Sequence, residues 1–427
     1  MELLHLRTID VSMTGTLPKP AEPSLTINGE NARFEPKALS DGDLLSEDKY
    51  FSFQYLRPCP HLIWQPHRAA YWLFELAFGL LSLFALLAFL AAIPIVNFIA
   101  LGYLLEAEGR VGRTGKLRYA LPLLPLAPQL GGIALGMWCW LWVVRFVADA
   151  ASDAQLIAPG TLTAGAWRAG LFVLSIVVAI HLVLAIARGG RLRLFFWPTP
   201  LNALWLWKQY RQGDYIEKAG QSVWSFVHAL RLRHHFWLGV RGFAMAFAWL
   251  LIPTALFSTV RDTSKPGQVL VTILGGVALV AVLAWVPVLQ AHFAAQNRWR
   301  AMFELHTIRD LYRRAPIALF LSIVLLYALS LPLYLFMIPS LPQDVYWLLT
   351  PIFIASIYPA KILIGWSYAR AMRKDRRSWL VIRLPLWLVL TPALGIYVFI
   401  LFFTQSIGAA GRAVLFQHHG ILLPWPF

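Results

Sequence analysis

Apolar residues occur along this chain in blocks of twenty or more, separated by short segments that carry most of the arginine and lysine. A block of that length spans about 30 Å of hydrocarbon as a helix. The pattern predicts membrane-crossing helices over roughly 71–92, 120–147, 166–187, 236–258, 268–290, 316–338, 345–369 and 384–404. The fold class expected is therefore all-α: a polytopic bundle of eight or nine transmembrane segments, some broken at proline.

The first block does not fit one crossing. Residues 71–105 are almost unbroken in their apolarity, and Pro94 lies two-thirds of the way along. Proline removes a backbone donor and clashes with the preceding turn. Two readings follow. In the favoured one, Pro94 divides the run into a span at 71–92 and a shorter helix that returns at 94–108. In the other, a single helix is kinked and tilted. The words "WVPVLQAHFAAQNRWRAMFE" and "IYPAKILIGWSYARAMRKD" resemble "AIPIVNFIALGYLLEAEGR", so Pro287 and Pro359 are expected to act as further helix breaks in a loosely repeated unit.

The polar segments are lopsided. Residues 106–119, 188–235, 291–315 and 370–383 hold 23 Lys/Arg, whereas 148–165, 259–267 and 339–346 hold 2. By the positive-inside rule the first set faces the cytoplasm. The hairpin reading of 71–108 places the N-terminus there too. Residues 1–50 carry nine acids against five basic residues and four prolines, and read as a disordered tail. Residues 51–70 are aromatic and Pro-rich and read as interfacial, 71–404 form the bundle, and 405–427 are a C-terminal tail. The insert 188–235 mixes aromatic and basic residues. Val223, Phe226, Val227 and Leu230 share one helical face there, which suits either a helix lying in the lipid interface or one docked beneath the bundle.

Composition sharpens this picture. Hydrophobic residues make up 59% of the 427 and charged residues only 14%, which excludes an ordinary soluble domain. The net charge of +16 lies in short loops rather than on one face, so nucleic acid is not an expected partner. The expected partners are anionic lipid headgroups at the cytoplasmic face and other membrane proteins. No secretory signal peptide is visible at the start, and the two cysteines, Cys59 and Cys139, are not expected to form a disulfide.

Within the spans, Lys361 stands out, because a charge near the bilayer centre costs roughly 2.5–3.5 kcal/mol on the insertion scale. It is expected to snorkel, to pair structurally or to serve a function. Glu75 is a candidate partner for a buried cation, with simple solvation as the plainer reading. Arg145 and Asp149 are four apart on one helix face, which predicts an outward ion pair. His181 reads as a packing residue. Cys59, His61 and His67 lack a fourth ligand, so no metal site is expected. Gly132 and Gly136 form a G-x-x-x-G on which another helix can pack closely, and Gly165 and Gly170 are similar in kind. Walker, dinucleotide, zincin and nucleophile-elbow motifs are absent from the sequence. No cofactor and no catalytic residue is predicted.

At "IPIVNFIALGYLLEAEGRVGR", "RHHFWLGVRGF" and "LYALSLPLYLFMIP...IYPAKILIGWSYARA" the chain resembles an uncharacterised family of bacterial multi-pass membrane proteins that carries a domain-of-unknown-function label. The similarity covers most of the chain from about residue 50. It implies a bacterial inner-membrane location and brings no activity or site residue with it. Three function classes remain open: a non-enzymatic protein that organises lipid or partner proteins, a transporter in which Lys361 faces a polar cavity, and a lipid-acting enzyme. The last needs several of Glu106, Glu108, His292, Glu304 and His306 to converge.

Overall fold

The structure is a computed structural model. It describes residues 60, 64–196, 199–213, 220, 224, 226–260, 264–335, 349–407 and 411–422. The acidic tail, most of the interfacial segment with Cys59 and His61, Val223 in the insert, and 423–427 lie outside these. Among the described residues every regular element is helical.

The helices are α1 (Pro66–Ala92), α2 (Asn97–Thr114), α3 (Ala127–Ile157), α4 (Leu162–Ala187), α5 (Leu192–Phe195), α6 (Thr199–Arg211), α7 (Leu232–Phe257), α8 (Pro266–Gln296), α9 (Leu305–Arg314), α10 (Pro316–Leu335), α11 (Leu349–Met372) and α12 (Leu380–Ile407). Eight of them are long and apolar enough to cross a membrane, which makes the architecture that of a multi-pass helical bundle. α3 runs through Ile157, so Asp149 and Asp153 sit on a helix and the following connection is shorter than the hydropathy pattern suggests. The basic segments gather at one end of the bundle, here called the basic end.

α2 is not one of the eight. The chain leaves helical geometry at Ile93, turns through Pro94 and Ile95 (φ +71°), and resumes at Asn97. The direction of α2 is fixed by Tyr358. A continuous helix would hold positions 84 and 103 about 28 Å apart. Yet Phe84 of α1 and Tyr103 of α2 both pack on the Tyr358 ring, at centroid distances of 5.5 and 5.9 Å. The chain therefore doubles back at Pro94.

The returning helix is enclosed within the bundle. Every residue from Ala100 to Gly109 is buried, two glutamates included. Missing side chains allow this. A Cβ at Gly102 would lie 1.7 Å from the His235 carbonyl oxygen of α7, and one at Gly239 would lie 1.9 Å from the Phe98 oxygen. A Cβ at Gly109 would meet the Ala294 oxygen of α8 at 2.4 Å, and one at Gly365 of α11 would meet the Glu108 oxygen at 2.4 Å. α2 thus rests backbone to backbone against three neighbours, the close approach that small residues permit between helices.

Pro287 and Pro359 do not break their helices. α8 and α11 run continuously through them. The cost of a helical proline is the unpaired carbonyl four residues earlier. For Pro287 that carbonyl belongs to Leu283, and the buried Tyr327 hydroxyl of α10 donates to it at 2.7 Å. The neighbouring Ala284 carbonyl accepts from Tyr312. Supplied with outside donors, the helix continues. What the three proline-led segments share is burial: from Leu283 to Ala295 only Trp285 is even partly exposed, and most of Ile357–Ala371 is buried, both against α2.

The glycines divide by what they meet. Cβ atoms at Gly132 and Gly136 would press on Leu192 and the Phe195 ring, at 3.2 and 2.4 Å, so these residues receive the short helix α5 rather than another long one. Trp140 Nε1 donates to the Phe195 carbonyl oxygen at 2.7 Å, and His181 Nε2 lies 2.7 Å from it, which gives His181 a packing and hydrogen-bonding role. A Cβ at Gly165 or Gly170 would meet nothing from another element within 4 Å. Similar in sequence, they serve no helix contact among the described residues.

Candidate functional site

Lys361 does not snorkel. It is 1% exposed and points between helices, with Nζ 2.5 Å from Gln290 Oε1 of α8 and 3.4 Å from Glu108 Oε2 of α2. Gln290 and Glu108 are fully buried as well. The 3.4 Å separation makes an ion pair, but no group other than Lys361 donates to either carboxylate oxygen of Glu108. A buried ion pair repays its desolvation only with good geometry and satisfied lone pairs. This one has half of that, so the arrangement is costly for stability alone.

The expected partner, Glu75, is exposed on α1 and takes no part. The partner is instead Glu108, which the sequence offers only as a residue near the interface because positions 106–119 read as a polar loop. They are in fact the end of a helix that is polar in sequence and surrounded in space. Arg145 and Asp149 are both exposed and form no ion pair among the described residues. Helical spacing brought them to one face, but nothing there orders two solvated side chains.

A second polar group joins the same helices two residues further along α8 and seven further along α11, toward the basic end. His292 Nδ1 lies 2.8 Å from the Tyr368 hydroxyl, and His292 Nε2 lies 2.8 Å from Glu304 Oε2. Glu106 is separate from both. It is held by Arg110 at 2.8 Å, His234 at 3.3 Å and Arg113 at 3.5 Å. Burial pushes its carboxyl up, but the His234 hydrogen bond and the Arg113 and Arg110 charges outweigh this and hold it well below the ordinary range. His306 is exposed, beside Asp310 at 3.9 Å. Of the five residues, several of which an enzyme would need to gather, only His292 and Glu304 meet. Glu106, Glu108 and His306 each face other partners.

At the basic end, arginines cap helix C-termini, where they complement the helix dipole. Arg113 Nη1 donates to the Ala294 and Ala295 carbonyls at 3.0 and 3.2 Å, and Arg373 donates to the Thr114 carbonyl beside Gly115 (φ +63°). Two open clefts lie there. One, of about 480 Å³, is lined by His228, Arg231, Arg233, His234, Trp237 and Arg241. The other, of about 360 Å³, is lined by Gly115, Trp366, Arg370, Arg373 and Lys374. In the second, Arg370 stands 5.5 Å over the Trp366 ring, and none of its three basic residues has an acidic partner among the described residues. The surface helix α6 belongs to the same end. Its Asn202 anchors it to Arg188 at 2.8 Å, leaving Leu204, Trp207 and Tyr210 exposed with Arg211 over the Trp207 ring at 5.0 Å.

No group of three or more potential metal ligands occurs among the described residues, and His67 is exposed. Comparison with protein-family models, with curated proteins and with solved structures finds no match.

Proposed function

We propose that the protein resides in a bacterial inner membrane with its basic end in the cytoplasm, and that this end binds anionic lipid headgroups and organises lipid or partner proteins there without catalysis. The cleft of Trp366, Arg370, Arg373 and Lys374 carries this reading, because its charges are unopposed and its indole suits the interfacial zone. The exposed aromatic and basic face of α6 lies at the same end. Each basic residue near an anionic surface is worth about 1 kcal/mol, so Arg370→Gln with Lys374→Gln should weaken binding roughly 30-fold. The test compares both proteins in nanodiscs containing phosphatidylglycerol or only phosphatidylcholine, with retained lipid counted by native mass spectrometry. Equal retention of phosphatidylglycerol by the variant sinks the proposal.

One observation favours a second reading, a transporter. Lys361 faces a polar cluster inside the bundle instead of reaching for the interface, and ionisable groups so placed in membrane proteins mark substrate or ion paths. The test is solute flux into proteoliposomes, which replacement of Lys361 should abolish.

A further inference from the structure

The chain beyond α12 does not remain at the surface. From Gly411 it enters the bundle at the end opposite the basic one and descends along α10. The Gln417 carbonyl accepts from the Tyr334 hydroxyl at 2.6 Å, and His418 Nε2 lies 3.0 Å from Thr254 Oγ1. Gly420 then packs against Leu326, eight residues before Tyr334 and so about 12 Å deeper. The Ile421 carbonyl finally accepts from Gln290 Nε2 at 3.0 Å. Val414, Leu415, His418, His419, Ile421 and Leu422 are all buried. Irregular backbone at this depth is tolerated only where protein or a cavity surrounds it. The contact at Gln290 matters most, since the other end of the same amide holds Lys361.

Two donors therefore meet at the foot of the inserted segment, each engaged by a group from the chain itself. The Lys361 ammonium faces the Glu108 carboxylate at 3.4 Å, and no other group donates to that carboxylate. The Gln290 amide N–H is taken by the Ile421 carbonyl. We infer that Lys361 and Gln290 form an occluded binding site for a small carboxylate anion, entered from the end opposite the basic one when Gly411–Leu422 withdraws. The anion then accepts from Lys361 Nζ and Gln290 Nε2, in place of the two stand-ins. Adding a negative charge to an already paired site in a low-dielectric interior is unfavourable. Glu108 accordingly takes up one proton from solvent per anion bound, and the cluster stays neutral. The charged group facing Glu108 is Lys361 of α11. α8 presents the uncharged Gln290, its His292 is engaged by Tyr368 and Glu304, His235 of α7 packs on Tyr103, and the titratable groups of α1 are exposed in its first turns. The inference rests on the transport reading for its use in the cell, but binding tests it separately.

The probe is ¹³C-labelled acetate, with the full chain in detergent and both native cysteines replaced by alanine. A Cβ at Gly420 would lie 3.3 Å from Leu326 Cγ, so Leu326→Cys with Gly420→Cys gives a reversible lock on the segment. Expected are acetate line broadening in the reduced protein, at least tenfold weaker binding after oxidation, and recovery on reduction. Lys361→Met with Glu108→Met should also lose binding at least tenfold, with its folded state checked by size-exclusion chromatography. Calorimetry in buffers of different ionisation enthalpy should show uptake of one proton per acetate. Binding that is absent from the reduced protein, or unchanged by the lock or by the double replacement, overturns the inference. Binding without acetate flux in proteoliposomes leaves this site standing and removes the transport reading.

Discussion

Replacing Lys361 by methionine keeps an unbranched side chain one atom shorter and removes its charge. Glu108 is then left in the interior with no counter-ion and no hydrogen-bond donor on either oxygen. Two opposite unit charges 3.4 Å apart attract by about 5 kcal/mol at an effective dielectric of about 20. Breaking one partner of a buried pair costs roughly 3–5 kcal/mol. Lys361→Met is therefore expected to destabilise the bundle by about 3–5 kcal/mol. Adding Glu108→Met removes the stranded carboxylate as well. Replacing a whole buried pair with apolar residues of like volume is neutral or stabilising, so the double variant should unfold within about 1 kcal/mol of the parent or later. The assay is reversible unfolding in mixed micelles, followed by tryptophan fluorescence. A double variant as unstable as the single one would show that the two side chains do not hold each other, and the account of the cluster would fail.

Other expectations follow from the same contacts. Tyr327→Phe strands the Leu283 carbonyl and should cost about 1–3 kcal/mol, but nearly nothing in a Pro287→Ala background, where the restored N–H can bond that carbonyl; a double-mutant cycle measures the difference. Gly136→Ala pushes a methyl group into the Phe195 ring and should cost about 1–3 kcal/mol, whereas Gly170→Ala meets open space and should be neutral or slightly stabilising, as thermal unfolding can show. Glu106 has a pKa held below its ordinary 4.5, so its stabilising contribution is complete above that pH and fades as pH falls below it; Glu106→Gln should flatten the acid limb of the stability profile. Arg145→Ala should change stability by less than about 0.5 kcal/mol, since the side chain is exposed and unpaired with Asp149.

The sequence made the eight crossing helices legible because each must cover its backbone with apolar side chains, whatever its neighbours. The turn at Pro94 was legible for a related reason: the apolar run was too long for one crossing. What followed it was not. A helix enclosed by three others needs no lipid-compatible surface, so the end of α2 can be polar and read as loop, and the sequence points to Glu75 rather than Glu108 as the partner of a buried cation. The continuity of α8 through Pro287 depends on a hydroxyl from α10, forty residues further along the chain, and no local pattern announces that. Gly136 and Gly170 look alike in sequence and differ only in what approaches them. The segment 411–422, short and mixed in character, gave no sign of its depth, because its backbone is satisfied by Tyr334 and Gln290 from distant helices.

The return of α2 into the core is the feature on which the cluster and the site both depend. A Cβ at Gly112 would stand 3.5 Å from that of Ala295, within the range that a disulfide bridges. With the native cysteines removed, Gly112→Cys and Ala295→Cys should cross-link under mild oxidant in native membranes, giving a mobility shift reversed by reductant. If the pair stays uncross-linked there, while both thiols react with maleimide once the protein is denatured, α2 does not fold back against α8.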